Sequence, residues 1–111
     1  MKALVIPTEG EPREVEIPEG YPGHLDGLQA AVGGWIEYVP TQLDVTLYCN
    51  EEGKIEGLPP NRTATALFGT MLMQHDYLAG DVVIIGPPDA EGNDTSLDTQ
   101  AWLSYLREWT V

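Results

Sequence analysis

Short runs rich in apolar and β-branched residues, separated by turn residues, occupy the first half of the chain, and this pattern is typical of strands. Residues 13–17 alternate between polar and apolar, which predicts a half-exposed strand. Residues 3–6 and 13–17 flank a turn that contains Gly and Pro, and together they predict a hairpin. Residues 35–39 and 43–48 are rich in β-branched and aromatic side chains and predict a second strand pair. Residues 54–56 predict a short further strand at or near a sheet edge.

Three segments instead repeat apolar residues at helical spacing. The first covers residues 24–32 and stops before Gly33, where the end of a helix favours a positive φ. The second follows Asn61, which can cap it. The third follows residues 95–98, whose sequence resembles a capping box. Their apolar faces are Leu25, Leu28 and Val32 in the first, Ala64, Leu67, Phe68 and Met71 in the second, and Trp102, Tyr105, Leu106 and Trp109 in the third.

Residues 82–85 form an unbroken apolar run between Gly80-Asp81 and Gly86, which predicts a strand buried on both faces at the centre of the sheet. Strands and helices are mixed without a regular alternation of strand, helix and strand. The sequence therefore predicts an α+β fold, with residues 1–111 as a single compact domain. We expect a mostly antiparallel sheet of five to six strands with about three helices.

The excess of acidic over basic residues limits the kinds of partner that the protein can bind. Eighteen acidic and five basic residues give a net charge of −13, and the basic residues are scattered along the chain. Because polyanion binding depends on clustered Lys and Arg, direct nucleic-acid binding is excluded. The longest apolar run is far shorter than the ~20 residues of a membrane span. The start of the chain does not have the pattern of a secretory signal. The lone Cys49 excludes an internal disulfide. These features predict a cytoplasmic protein without a membrane partner.

Four blocks of the chain resemble a known family. Residues 33–37, 47–54, 58–65 and 80–86 look like a family of small proteins of unknown function from Gram-positive bacteria, their plasmids and their phages. The resemblance covers residues 1–86 and implies a phage or mobile-element origin, hence the cytoplasm of the host cell. It transfers no catalytic or binding residue. The tail from Asp89 onward carries no resemblance, so the last helix is expected to be peculiar to this member.

The first functional hypothesis is an acidic surface that binds a host protein, basic or DNA-binding, with imitation of DNA as one form. A domain of this length spans about 34 Å, over which duplex DNA carries about 20 charges. Glu14 and Glu16 would project from one side of a strand. Mimicry requires the fold to collect the acidic residues on one face. The alternative is that the charges maintain solubility.

The second hypothesis is a pocket that binds or sequesters a small anionic ligand such as a nucleotide. A helix capped by Asn61 directs free backbone N–H groups outward, Arg62 adds a planar cationic fork, and two threonines add hydroxyls. The alternative is an ordinary Pro-Pro turn that leads into a capped helix. The candidate ligand-binding residues are Asn61, Arg62, Thr63 and Thr65, with Tyr48 and Lys54 as neighbours if the sheet brings them close.

Catalysis is not predicted. His24, His75 and Cys49 show none of the short spacings of metal sites, so neither a metal nor a cofactor is expected. Acidic neighbours of Cys49 disfavour its thiolate, and a buried strand thiol is the better interpretation. We therefore predict a binding protein that is not an enzyme.

The aromatic side chains of the last helix allow two interpretations. Trp102, Tyr105 and Trp109 are typical of interface anchors and also of core residues. Docking of the helix on its own sheet is favoured. The other interpretation is a homodimer or the capture of a partner.

Overall fold

Five strands and three helices make up the part of the chain that this computed structural model describes, residues 1–68 and 76–109. The strands are β1 (Lys2–Ile6), β2 (Arg13–Glu16), β3 (Ile36–Val39), β4 (Thr46–Asn50) and β5 (Val82–Ile85). The helices are α1 (Gly23–Val32), α2 (Arg62–Phe68) and α3 (Thr99–Trp109). The strands form one antiparallel sheet in the order β2-β1-β5-β4-β3, which confirms the predicted α+β fold.

Hydrophobic residues cover both faces of the central strands. Leu4 of β1 and Ile84 of β5 face a core that includes Phe68 of α2 and Leu106 of α3. The residues that alternate with these along each strand face the opposite side of the sheet, where α1 packs. All four residues of β5 are fully buried, so the prediction of a central strand buried on both faces is confirmed. The sheet is thus the middle of three layers.

Two helix ends form as the sequence predicts. Gly33 ends α1 in the left-handed conformation, with φ of 78°, and its N–H donates to the carbonyl of Gln29 at 2.8 Å. At the start of α2, the side-chain oxygen of Asn61 accepts the N–H of Ala64 at 3.0 Å. Met71 and His75, which entered the sequence predictions, lie outside the described residues.

Residues 54–56 are not a strand, and that prediction is wrong. They belong to a turn in which Glu56 N–H donates to Glu52 O at 2.8 Å and Leu58 N–H donates to Gly53 O at 2.9 Å. Because these backbone groups bond within the turn, they are not available to a sheet. Residues 43–45 also precede β4 rather than start it.

The predicted capping box before α3 is wrong by one turn. Asp98 caps the helix, and its Oδ1 accepts the N–H of Ala101 at 3.1 Å. Thr95 instead donates its hydroxyl to the carbonyl of Pro87 at 2.5 Å and forms an isolated bridge with Gly86. In the described ranges, the helices are all too short or too polar to cross a membrane.

Candidate functional site

The side chain of Asn61, at the centre of the predicted anion pocket, is fully buried and bonded to the protein itself. Its Nδ2 donates to the carbonyl of Ile6 at 2.8 Å and to that of Gly80 at 3.0 Å, while its Oδ1 caps α2 through Ala64. Both amide hydrogens are therefore used. The residue ties the start of α2 to the end of β1 and to the approach of β5.

The remaining residues at the start of α2 form no converging site. The hydroxyl of Thr65 accepts the N–H of Leu78 at 2.9 Å. Arg62 is exposed and Thr63 is half-buried. The helix itself has seven residues, which gives a short macrodipole to attract an anion.

Tyr48 and Lys54, the two expected neighbours, lie against different faces of the molecule. Tyr48 packs with the residues under α1. Lys54 follows β4 and lines a pocket with Cys49, which faces the core under α2 and α3. The structure does not bring the six candidate ligand-binding residues together.

A cluster of His24, Asp94 and Tyr48 lines a shallow cleft of about 520 Å³. His24 Nε2 lies 2.6 Å from Asp94 Oδ2, and its Nδ1 lies 3.1 Å from the carbonyl oxygen of Pro18. The Tyr48 hydroxyl donates to the same carboxylate at 3.2 and 3.3 Å. Sequence reasoning missed this cluster because its members are 46 and 70 residues apart along the chain.

The polar side-chain groups of this cluster form hydrogen bonds with one another. Burial, followed by the charge of Asp94, raises the pKa of Tyr48 to about 12, so its hydroxyl remains a donor at neutral pH. Both ring nitrogens of His24 lie within hydrogen-bond distance of protein oxygens. The cluster therefore links the start of α1, the loop after β5 and strand β4.

A second pocket, of about 460 Å³, lies beside β3 and β4. We call it the acidic pocket, because Glu37, Glu51 and Asp76 line it together with Lys54 and Tyr77. Three carboxylates and one ammonium group leave the lining negative at neutral pH. Such a lining suits a cationic group. Of the features that form this pocket, the sequence predicted only the pairing of residues 35–39 with 43–48.

Lys54 is held on one side of the acidic pocket by two contacts. Its Nζ forms an ion pair with Asp76 and lies 4.8 Å from the centre of the Tyr77 ring. The hydrogen bond from Lys54, followed by that from the Tyr77 N–H, holds the pKa of Asp76 below its ordinary value. Asp76 therefore stays charged well below neutral pH, and Glu37 and Glu51 contribute the further negative charge.

Cys49 forms part of the floor of the acidic pocket and is 5 % exposed. Its Sγ lies 3.8 Å from Glu37 Oε1. Burial, followed by the charge of Glu37, raises the pKa of the thiol to about 12. Since the thiolate is the nucleophilic form, this raised pKa disfavours reaction of Cys49 at neutral pH.

Glu14 and Glu16, the predicted acidic interface residues, lie on the edge strand β2 and share one face of it. Glu14 accepts a hydrogen bond from the hydroxyl of Thr99, the first residue of α3. Glu16 lies 3.2 Å from the amino group of Met1. Each carboxylate thus has a partner within the chain.

The aromatic residues of α3 divide between core and surface. Trp102 is half-buried and packs against Phe68, with ring centres 6.3 Å apart, and Leu106 is buried. Tyr105 is 45 % exposed and meets Trp102 edge to face at 5.5 Å. The helix docks on the sheet through its own core residues. The side chain of Trp109 lies outside the described part of the chain.

Comparison with known families assigns the whole of this fold to one of them. Residues 1–110 match the domain of unknown function DUF3846, and the chain belongs to that family. The match includes α3, so the expectation that the tail is peculiar to this member is wrong. Neither a curated protein nor a solved structure matches the chain.

Proposed function

We propose that this family member is a non-enzymatic accessory protein of a phage or mobile element that binds a basic host protein through its acidic surface. The observation that carries the proposal is that none of the eighteen acidic side chains is buried. Most are exposed, and they account for the net charge of −13. A surface of this sign attracts basic proteins over the distance at which their charges remain unscreened.

The acidic pocket is the part of this surface best suited to receive a basic side chain. Glu37 and Glu51 face the same space as Tyr77, whose ring already contacts one ammonium group. Carboxylates and an aromatic face are the groups that bind Lys and Arg side chains. We place the centre of the proposed interface here.

Imitation of DNA is less well supported than the binding of a basic patch. Mimicry requires the charges on one face, whereas Glu14 and Glu16 lie at one edge of the sheet and Glu37 lies at the other. The molecule measures 34 × 32 × 25 Å, so these edges are well separated.

The alternative of a small anionic ligand at residues 61–65 has no observation in its favour. The side-chain amide of Asn61 donates both of its hydrogens inside the protein, and the acidic pocket has a negative lining. The phage or mobile-element origin, and with it the cytoplasm of the host cell, rests on the resemblance of residues 1–86 alone.

The experiment is a capture assay from the lysate of a Gram-positive bacterium with tagged wild type, Glu37→Gln/Glu51→Gln and a charge-matched control, Glu9→Gln/Glu11→Gln. We expect wild type and the control to retain a basic protein at ~50 mM salt, and Glu37→Gln/Glu51→Gln to lose most of it. Binding should fall steeply by ~500 mM salt because the attraction is then screened. A nucleotide that co-purifies without any protein would refute the proposal and favour the alternative.

A further inference from the structure

The two edges of the sheet differ in how they are protected. At one edge, β2 carries Arg13, Glu14 and Glu16 among its four residues, and such charges discourage pairing with another strand. At the other edge, β3 carries only Glu37 as a charged residue. Within residues 1–68 and 76–109, β3 pairs with β4 alone. Among the described residues, the edge at β3 is therefore the one open to a further strand.

The register shows which backbone groups of β3 point away from the sheet. Glu51 N–H donates to Trp35 O at 2.8 Å, which places Trp35 in a hydrogen-bonded pair. Because such pairs alternate along antiparallel strands, Glu37 also bonds toward β4. The N–H and C=O groups of Ile36 and Tyr38 then point outward, ready to bond an added strand.

Side chains on the two faces of this edge differ in chemistry. Tyr38 lies on the α1 side, where it is 59 % exposed and meets Tyr48 edge to face at 6.4 Å. Glu37 lies on the opposite face, over the acidic pocket. An added strand would place its residues alternately beside an aromatic surface and beside a carboxylate.

We propose that β3 pairs with an extended basic segment of the partner protein, which adds a sixth, antiparallel strand to the sheet. This inference rests on the proposed function and specifies how the partner binds. Residues of the segment opposite Glu37 are Lys or Arg, and at a strand spacing of about 4.8 Å their side chains reach the acidic pocket. Residues opposite Tyr38 are apolar and pack on its ring.

Charge complementarity selects this occupant over a second copy of the chain. Two copies paired through β3 would bring Glu37 and the acidic pocket of each toward the other, and each copy carries a net charge of −13. Like charges placed opposite one another across a strand pair are destabilising. A basic segment removes this repulsion and neutralises the pocket.

The test uses a short synthetic peptide in which Lys and Val alternate, with two backbone-methylated analogues. In the proposed register the valine N–H groups bond to β3 and the lysine N–H groups point away. Methylation of the valine amides should weaken binding about tenfold or more, whereas methylation of the lysine amides should change it less than about threefold. Charge is the same in all three peptides, so the difference reports strand pairing.

Hydrogen exchange and two variants locate the pairing on the protein. Exchange of the Ile36 and Tyr38 amides should slow when the peptide binds, while that of Glu37 is slow in both states. Tyr38→Pro removes an outward N–H at an edge, where Pro is tolerated, and should weaken binding about fivefold or more. Tyr38→Val keeps the N–H and should bind more tightly than Tyr38→Pro. If Tyr38→Pro does not fold, the methylated peptides still decide.

Three outcomes would overturn the inference. Equal affinity of the two methylated analogues, still lost at high salt, would refute strand pairing and leave the electrostatic proposal intact. Absence of binding by the parent peptide at ~50 mM salt would refute the proposed segment, and the capture assay would then decide separately on the proposed function. A dimer of the free protein that Tyr38→Pro dissociates and Tyr38→Val does not would identify a second copy as the occupant.

Discussion

Replacement of Asn61 by Ala should destabilise the protein strongly and leave any partner binding intact. The substitution removes the cap on Ala64 and both hydrogen bonds from Nδ2. It leaves the carbonyls of Ile6 and Gly80 without that donor in a buried setting. A ligand-binding role for Asn61 predicts the opposite pattern, with normal stability and lost binding.

The size of the effect follows from the three bonds. A lost N-cap costs about 1 kcal/mol, and each buried hydrogen bond contributes about 1 kcal/mol net. We therefore expect the free energy of unfolding to fall by about 3 kcal/mol in Asn61→Ala. In a domain of 111 residues this corresponds to a decrease in Tm on the order of 10–15 °C.

Asn61→Ser separates the two contributions, because the Ser hydroxyl can still cap Ala64 while the two bonds from Nδ2 are lost. It should lie about 1 kcal/mol above Asn61→Ala in urea unfolding followed by circular dichroism. Arg62→Ala, at an exposed neighbouring position, is the control and should change stability by less than about 0.5 kcal/mol. A stability of Asn61→Ala within ~0.5 kcal/mol of wild type would refute the structural role assigned to this residue.

Four further predictions concern Cys49, Tyr48 and the tryptophans. Because burial and a neighbouring carboxylate raise the pKa of Cys49 to about 12 from 9.0, Ellman's reagent at pH 8 should react at least ~10-fold more slowly with the native than with the urea-unfolded protein. Since the folded pKa exceeds the unfolded one, the stability that Cys49 contributes should be fully present below about pH 9 and be lost toward pH 12, so wild type should lose more stability over this range than Cys49→Ala. Tyr48→Phe should cost about 1 kcal/mol in urea unfolding, and a double-mutant cycle with Asp94→Asn should show coupling between them. Acrylamide quenching of tryptophan fluorescence should fall in Trp35→Phe and rise in Trp102→Phe, because Trp35 is 65 % exposed and Trp102 is half-buried.

The fold was predictable where one local signal acted alone. The unbroken apolar run at residues 82–85 required burial on both faces, and only the centre of the sheet provides it. Gly33 ended α1 because its left-handed conformation costs no Cβ clash. The errors arose where two local solutions competed. Residues 54–56 have a strand-like composition, yet the bonds of Gly53 and its neighbours close a turn first.

The candidate site was less predictable because its geometry depends on distant segments. Asp76 lies 22 residues from Lys54 in sequence, and nothing in either local pattern indicates that the two pair. Asn61 was identified as a cap, but its two donor bonds depend on where β1 and Gly80 pass. Its side chain thus bonds to three parts of the protein, of which the local sequence indicates only the cap.

The exposed charge that supports the proposed binding also acts against the fold. A net charge of −13 produces repulsion among side chains that the compact state holds close together. Added salt screens this repulsion over a Debye length of about 10 Å at 0.1 M, and it screens the attraction to a basic partner equally well. Salt should therefore stabilise the free protein and weaken the complex. A basic segment at β3 would reduce the repulsion among the carboxylates around Glu37, as salt does over the whole surface. Its binding free energy then includes this relief of repulsion. Because the segment binds only the folded protein, it also stabilises the fold. Salt effects of the same sign on stability and on affinity would mean that the exposed ring of Tyr38, rather than the charge, dominates recognition.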